Sequence, residues 1–265
     1  MSNSHLPAEM LDHVVDHLHD ARDALRNCCL VSKSWVPRAR KHLFADIWFP
    51  TATRIQSWKA TFPDPSTSPA CYANALFIDC SQVVTAVDAE ADGWIRGFSR
   101  VEHLEVGTHS IDVLDPDFSE SVTPLVPFHG FSPALKSLHV VVPYLPPSQI
   151  FNLIFSFPLL EDLAVITTYW TSVDTGGGSE RDEMPTAARP LSPPIFTGSL
   201  ELYLRGAIKP ITRRLLSLSG GIHFRELIWT WFYDEDLSLM MALVERCSHT
   251  LESLSITCNL TGTSI

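Results

Sequence analysis

Leu135-Lys136-Ser137-Leu138-His139-Val140 spells an apolar-x-x-Leu-x-apolar template, and the template returns along the chain. Val101-Glu102-His103-Leu104-Glu105-Val106 precedes it, and Leu160-Glu161-Asp162-Leu163-Ala164-Val165, Phe224-Arg225-Glu226-Leu227-Ile228-Trp229 and Leu251-Glu252-Ser253-Leu254-Ser255-Ile256 follow. Ser199-Leu200-Glu201-Leu202-Tyr203-Leu204 fits less well, because a serine holds its first apolar position. Each segment has the length and alternation of a short strand. Ala75-Leu76-Phe77-Ile78-Asp79-Cys80 reads as a further, fully buried strand of the kind that parallel sheets contain. Helix-like stretches fall between the strands at 148–157, 210–218 and 234–248, the last with Asp234 or Asp236 as its cap. Alternating strands and helices predict parallel strands joined by right-handed crossovers.

The central leucines Leu104, Leu138, Leu163, Leu202, Leu227 and Leu254 stand 34, 25, 39, 25 and 27 residues apart. Repeats of roughly 20 to 29 residues are typical of leucine-rich repeats, and residues 71–265 resemble an irregular domain of that kind. The two long intervals contain insertions of loop composition. One spans 114–133 with Pro116, Pro124, Pro127 and Gly130; the other runs from Thr171 through Gly176-Gly177-Gly178 to Pro193-Pro194. The asparagine that usually completes such a repeat has a candidate only at Asn259. A recurring period favours a curved solenoid over a closed barrel. A doubly wound sheet is the alternative, but the glycine-rich turn it would carry follows neither Leu76 nor Leu104. Because the chain stops seven residues after Cys258, the last repeat is expected to be exposed or covered by another chain.

Thirty acidic residues against nineteen basic ones give a net charge of −11, which argues against a nucleic-acid backbone as the main ligand. The basic run Arg38-x-Arg40-Lys41-His42 is too short to reverse that balance. Hydrophobic residues at 45% are enough for a substantial core. No apolar stretch reaches membrane-spanning length and no signal peptide opens the chain, so a cytoplasmic or nuclear protein without a membrane partner is expected. The six cysteines are scattered, with no Cys-x-x-Cys pair, and read as small core residues.

Residues 6–47 carry a different pattern. Pro7 suits a first helical turn, and Met10, Leu11, Val14, Val15 and Leu18 follow at three- and four-residue spacing. Asp20 and Asp23 offer caps for a second short helix through Ala24 and Leu25, and Cys28-Cys29-Leu30-Val31 forms an apolar turn. After Trp35, the residues Val36, Ala39, Leu43 and Ile47 share a further helical stripe. So many short amphipathic helices in so few residues need a partner for their apolar surface, within the chain or outside it.

Leu6-Pro7-x-Glu9-Met10-Leu11-x-x-Val14-Val15-x-x-Leu18 followed by Cys29-Leu30-Val31-Ser32-Lys33-Ser34-Trp35 closely resembles the F-box motif. The resemblance covers about the first fifth of the chain. It implies an F-box helical module at 4–48, a linker at 49–70 and a substrate-binding domain at 71–265. It also implies docking onto a Skp-type adaptor and, through it, a cullin. By that resemblance adaptor contact and F-box core fall on Leu6, Pro7, Met10, Leu11, Val14, Leu18, Leu25, Val31 and Trp35. The bland reading is an N-terminal helical cap whose apolar residues are all core.

If the repeats stack, the template leucines point inward and the intervening positions line one face. His103, Glu105, His139, Asp162, Tyr203, Glu226 and Ile228 belong to that face, which is mixed and slightly acidic and suits a protein substrate carrying some basic groups. Trp170 and Trp231, at strand exits, serve either a partner or the core. Enzyme chemistry finds little support. His13 and His17 have a zinc-pair spacing, but Val14 stands where a metalloprotease needs glutamate; the triple glycine lacks a following Lys-Ser/Thr; and Ser217 to Gly221 is not a nucleophile elbow. No metal or cofactor is expected. The function implied is a non-catalytic substrate-recognition subunit of a ubiquitin ligase, and the alternative is an interaction scaffold that delivers no substrate.

Overall fold

The computed structural model describes residues 7–79, 93–107, 128, 131–141, 147–167, 194–204, 208–218, 220–231 and 237–258. Among them the chain is α/β, with eight strands in one sheet. These are β1 (Asp46–Phe49), β2 (Ala75–Asp79), β3 (His103–Gly107), β4 (Ser137–Val141), β5 (Asp162–Thr167), β6 (Ser199–Leu204), β7 (Glu226–Trp231) and β8 (Ser253–Cys258). All neighbouring pairs are parallel, and the strands lie side by side in chain order. A doubly wound sheet reverses its order at a switch point. This one never does, which removes that alternative.

Register explains the repeat. Ile47, Leu76, Leu104, Leu138, Leu163, Leu200, Leu227 and Leu254 form one row across the sheet, and Phe49, Ile78, Val106, Val140, Val165, Leu202, Trp229 and Ile256 form the next. From β1 to β7 both rows are buried, in one core shared with residues of the intervening helices. Each fully buried leucine or valine contributes about 1.5–3 kcal/mol. Leu254 and Ile256 on β8 are 44% and 45% exposed, since no described element covers that end. In β6 the row residue is Leu200, two positions before the leucine that the sequence template centres on. A two-residue slip leaves every side chain on its original face, so alternation alone does not distinguish the two registers. Phe196, fully buried four residues before Leu200, lies against Phe224 of the next repeat with ring centroids 5.0 Å apart.

Four helices pack on the leucine face: α4 (Ala52–Thr61), α5 (Pro147–Ile154), α6 (Ile208–Leu216) and α7 (Leu237–Cys247). They bury Ile55; Ile150, Leu153 and Ile154; Ile211 and Leu215; and Met240, Leu243 and Cys247 respectively. The opposite sheet face has no helix packed on it among the described residues. Here α4 occupies 10 residues of the stretch 49–70 read as a linker. Thr51 caps it by accepting the Arg54 backbone N–H, and Trp58 packs its ring edge-on or tilted against Phe44, Phe49, Phe62 and Phe98. Proline-rich flanks at Pro50 and Pro63 disguise a segment that belongs to the core.

Three helices precede the sheet: α1 (Ala8–Asp16), α2 (Arg22–Val31) and α3 (Val36–Leu43). Two expectations change here. The apolar turn at Cys28 to Val31 is the last turn of α2, whose N-cap is Ala21 rather than an aspartate; Asp23 instead pairs with Arg26 one turn on. Ile47 does not continue α3 but lies in β1, where exposed Asp46 and Trp48 alternate with buried Ile47 and Phe49. A period of two wins over the helical stripe because Ile-Trp-Phe fits a pleated surface. No helix among the described residues is long and apolar enough to cross a membrane.

Candidate functional site

The helical module has a small core of its own, Val15, Leu25, Cys28 and Ala39, with Leu18, Cys29, Trp35 and Leu43 packed around it. One carboxylate holds α1 to α3. Asp16 accepts from Arg38 Nε at 2.5 Å, from a terminal guanidinium nitrogen of the same residue, and from His42 Nε2 at 2.7 Å. Hydrogen bonds from Arg38 and then His42 keep the Asp16 carboxyl far below the usual carboxylate range, and the carboxylate in turn raises Arg38.

Outside that core the module shows apolar side chains to solvent. Met10 and Val14, one turn apart on α1, are 54% and 51% exposed; Leu30 and Val31, at the end of α2, are 85% and 70% exposed. The residues assigned by resemblance therefore divide. Pro7, Met10, Val14 and Val31 are exposed, Leu11, Leu18 and Trp35 are half-buried, Leu25 is core, and Leu6 lies outside the described residues. Among the described residues Leu30 is the most exposed of the large apolar ones, and its place next to Val31 in the motif is the sequence signal for it.

The open sheet face gathers the other candidates into rows. His103, Ser137 and Asp162 are aligned across three strands, and Glu105, His139, Ala164, Glu201 and Ile228 across five. Two of the acidic candidates are engaged inside the protein. Glu105 Oε2 lies 3.5 Å from His139 Nδ1 on the next strand. Asp162 accepts the Ser199 backbone N–H at 2.6 Å and its hydroxyl at 2.9 Å. Gly198 makes this possible, since a Cβ there would come within 2.0 Å of Asp162 Oδ1. His103 is exposed, and Tyr203, Glu226 and Ile228 are half-buried. Trp231 ends β7 opposite Cys258, Trp229 is core, and Trp170 lies outside the described residues. Trp48, 58% exposed and in register with Phe77, adds an aromatic end to the face.

No group of three or more histidine, cysteine or acidic side chains is placed to hold a metal ion among the described residues, and His13 and His17 gather no further ligand. Chemically, the arrangement offers apolar and polar docking surface. Comparisons with protein-family models, curated proteins and solved structures find no match to this chain.

Proposed function

We propose that the chain is a substrate-recognition subunit of a cullin-based ubiquitin ligase, with an F-box module at its N-terminus and a leucine-rich-repeat-like solenoid behind it. The observation that carries this reading is the division of the helical module into a buried core and an exposed apolar set, Met10, Val14, Leu30 and Val31. Large exposed aliphatic side chains on short helices are what a helical adaptor would cover. The open sheet face, presenting His103, Glu226 and Ile228, is the substrate surface in this reading. Catalysis lies elsewhere. Holding a substrate near a charged conjugating enzyme raises the effective concentration of its lysines, which needs no reactive group on this chain.

The test is the affinity of the purified chain for a Skp-type adaptor, beside a Met10→Asp/Val14→Asp variant. Tight binding lost in a variant that still melts cooperatively supports the proposal. A folded wild-type chain that ignores the adaptor sinks it. Ubiquitination of a co-purified protein separates substrate delivery from the second reading, an interaction scaffold. That second reading draws on the open face itself, where Glu105 and Asp162 already serve the protein's own contacts.

A further inference from the structure

The first strand of the sheet leaves a groove that shares Trp48 with the open sheet face and is otherwise separate from both proposed surfaces. About 450 Å³ in volume, it follows the free edge of β1 and is lined there by Leu43, Phe44 and residues 46–49. Arg22 and Arg26, one turn apart on α2, line it from one helix. Arg54, Ser57, Trp58 and Thr61 on α4 and Phe62 just after it, at three- and four-residue spacing, line it from the other side.

Its charge runs against that of the molecule. Within a chain of net charge −11, three guanidiniums line this groove and the only acidic lining residue is Asp46. Arg22 donates to the Asp46 backbone carbonyl at 3.3 Å, which occupies an edge acceptor and leaves recognition to side chains rather than to an added strand. Arg26 pairs with Asp23 at 2.9 Å, but both are well exposed, and such pairs exchange partners at little cost. The Arg54 guanidinium has no acceptor among the described residues. The aromatic wall is preformed, because Trp58 is held between Phe49, Phe62 and Phe98.

We propose that this groove docks an extended acidic segment of a protein partner, with carboxylates on Arg26 and Arg54 and an apolar side chain on Trp58 and Phe62. Guanidinium matches carboxylate in a two-point geometry, and the apolar wall sets where the segment stops. A second copy of the chain is the weaker occupant, because two molecules of charge −11 repel. Nucleic acid needs a longer basic track than three arginines beside an aspartate.

Fluorescence anisotropy with a labelled peptide of alternating Asp/Glu and Leu/Phe tests the proposal on the full chain. Saturable binding that weakens as salt is raised is expected, falling about tenfold or more in Arg54→Glu and in Arg26→Glu. Arg213→Glu, an exposed change on α6, is the charge-matched control and is expected to bind as wild type does. Melting curves establish that each variant is folded, and Arg26, exposed and a member of neither core, keeps the test open if Arg54→Glu fails to fold. The proposal is overturned by a wild type that does not bind the peptide, by equal weakening in Arg213→Glu, by tighter binding of an oligonucleotide of equal charge, or by self-association that Arg54→Glu abolishes.

Discussion

Asp16 and Arg38 join the first and third helices side-on, each carboxylate oxygen facing a different guanidinium nitrogen. His42 adds a third contact to the same carboxylate. Because the folded-state carboxyl is held below its unfolded value, ordinarily about 3.9, its contribution to stability is fully present above that value. It is lost as pH falls toward the folded value. Asp16→Asn should therefore lower the thermal midpoint at neutral pH, and the gap from wild type should narrow once pH drops below about 4. Paired melts at pH 7 and pH 3 check this; no gap at neutral pH would mean the pair contributes nothing.

The leucine row gives a prediction with its own control. Leu138 is 1% exposed at the middle of the sheet, so Leu138→Ala should cost about 2–5 kcal/mol through lost burial and the cavity left behind. Leu254 occupies the same row at the uncovered end and is 44% exposed. Leu254→Ala should cost less than about 1 kcal/mol, as partly exposed apolar positions do. Urea denaturation of both variants measures the contrast. Equal losses would show that something covers β8 in solution.

Gly198 and Asp162 form a coupled pair. A methyl group at 198 would overlap the carboxylate that receives the two Ser199 hydrogen bonds, so Gly198→Ala should destabilise by about 1–3 kcal/mol. Asp162→Ala removes the same contact from the other side. The double variant should fall short of the sum of the two single losses, because both delete one interaction. A denaturation cycle over the four proteins reads this directly, and strict additivity would refute the coupling.

What the sequence discloses follows from which forces act locally. Burial on one face of a strand imposes a period of two, so the rows through Leu104, Leu138, Leu163 and Leu227 are legible. The register of β6 is not, because Leu200 and Leu202 satisfy that period equally. Ile47 fits a helical stripe as well as a strand, and its place in β1 is decided by pairing with Leu76, far along the chain. Site chemistry is hidden for the same reason. The bond between Asp162 and Ser199 spans a long insertion, and the groove beside β1 draws residues from four elements between Arg22 and Phe62.

The helical module separates a folding role from a docking role at neighbouring positions. Val15 is 1% exposed and Val14 is 51% exposed, though they are adjacent on α1. Val15→Ala should cost about 1–3 kcal/mol and broaden or lower the melt of the N-terminal helices. Val14→Ser and Leu30→Ser remove apolar surface that already faces water, so each should leave stability within about 0.5 kcal/mol of wild type. If an adaptor covers that surface, the same two changes together should weaken its binding about tenfold or more, since a few desolvated anchors dominate an interface. Calorimetric titration alongside thermal melts tests both halves at once. Loss of stability in the serine variants would place Val14 and Leu30 in the core after all, while unchanged adaptor binding would remove this face from the docking surface.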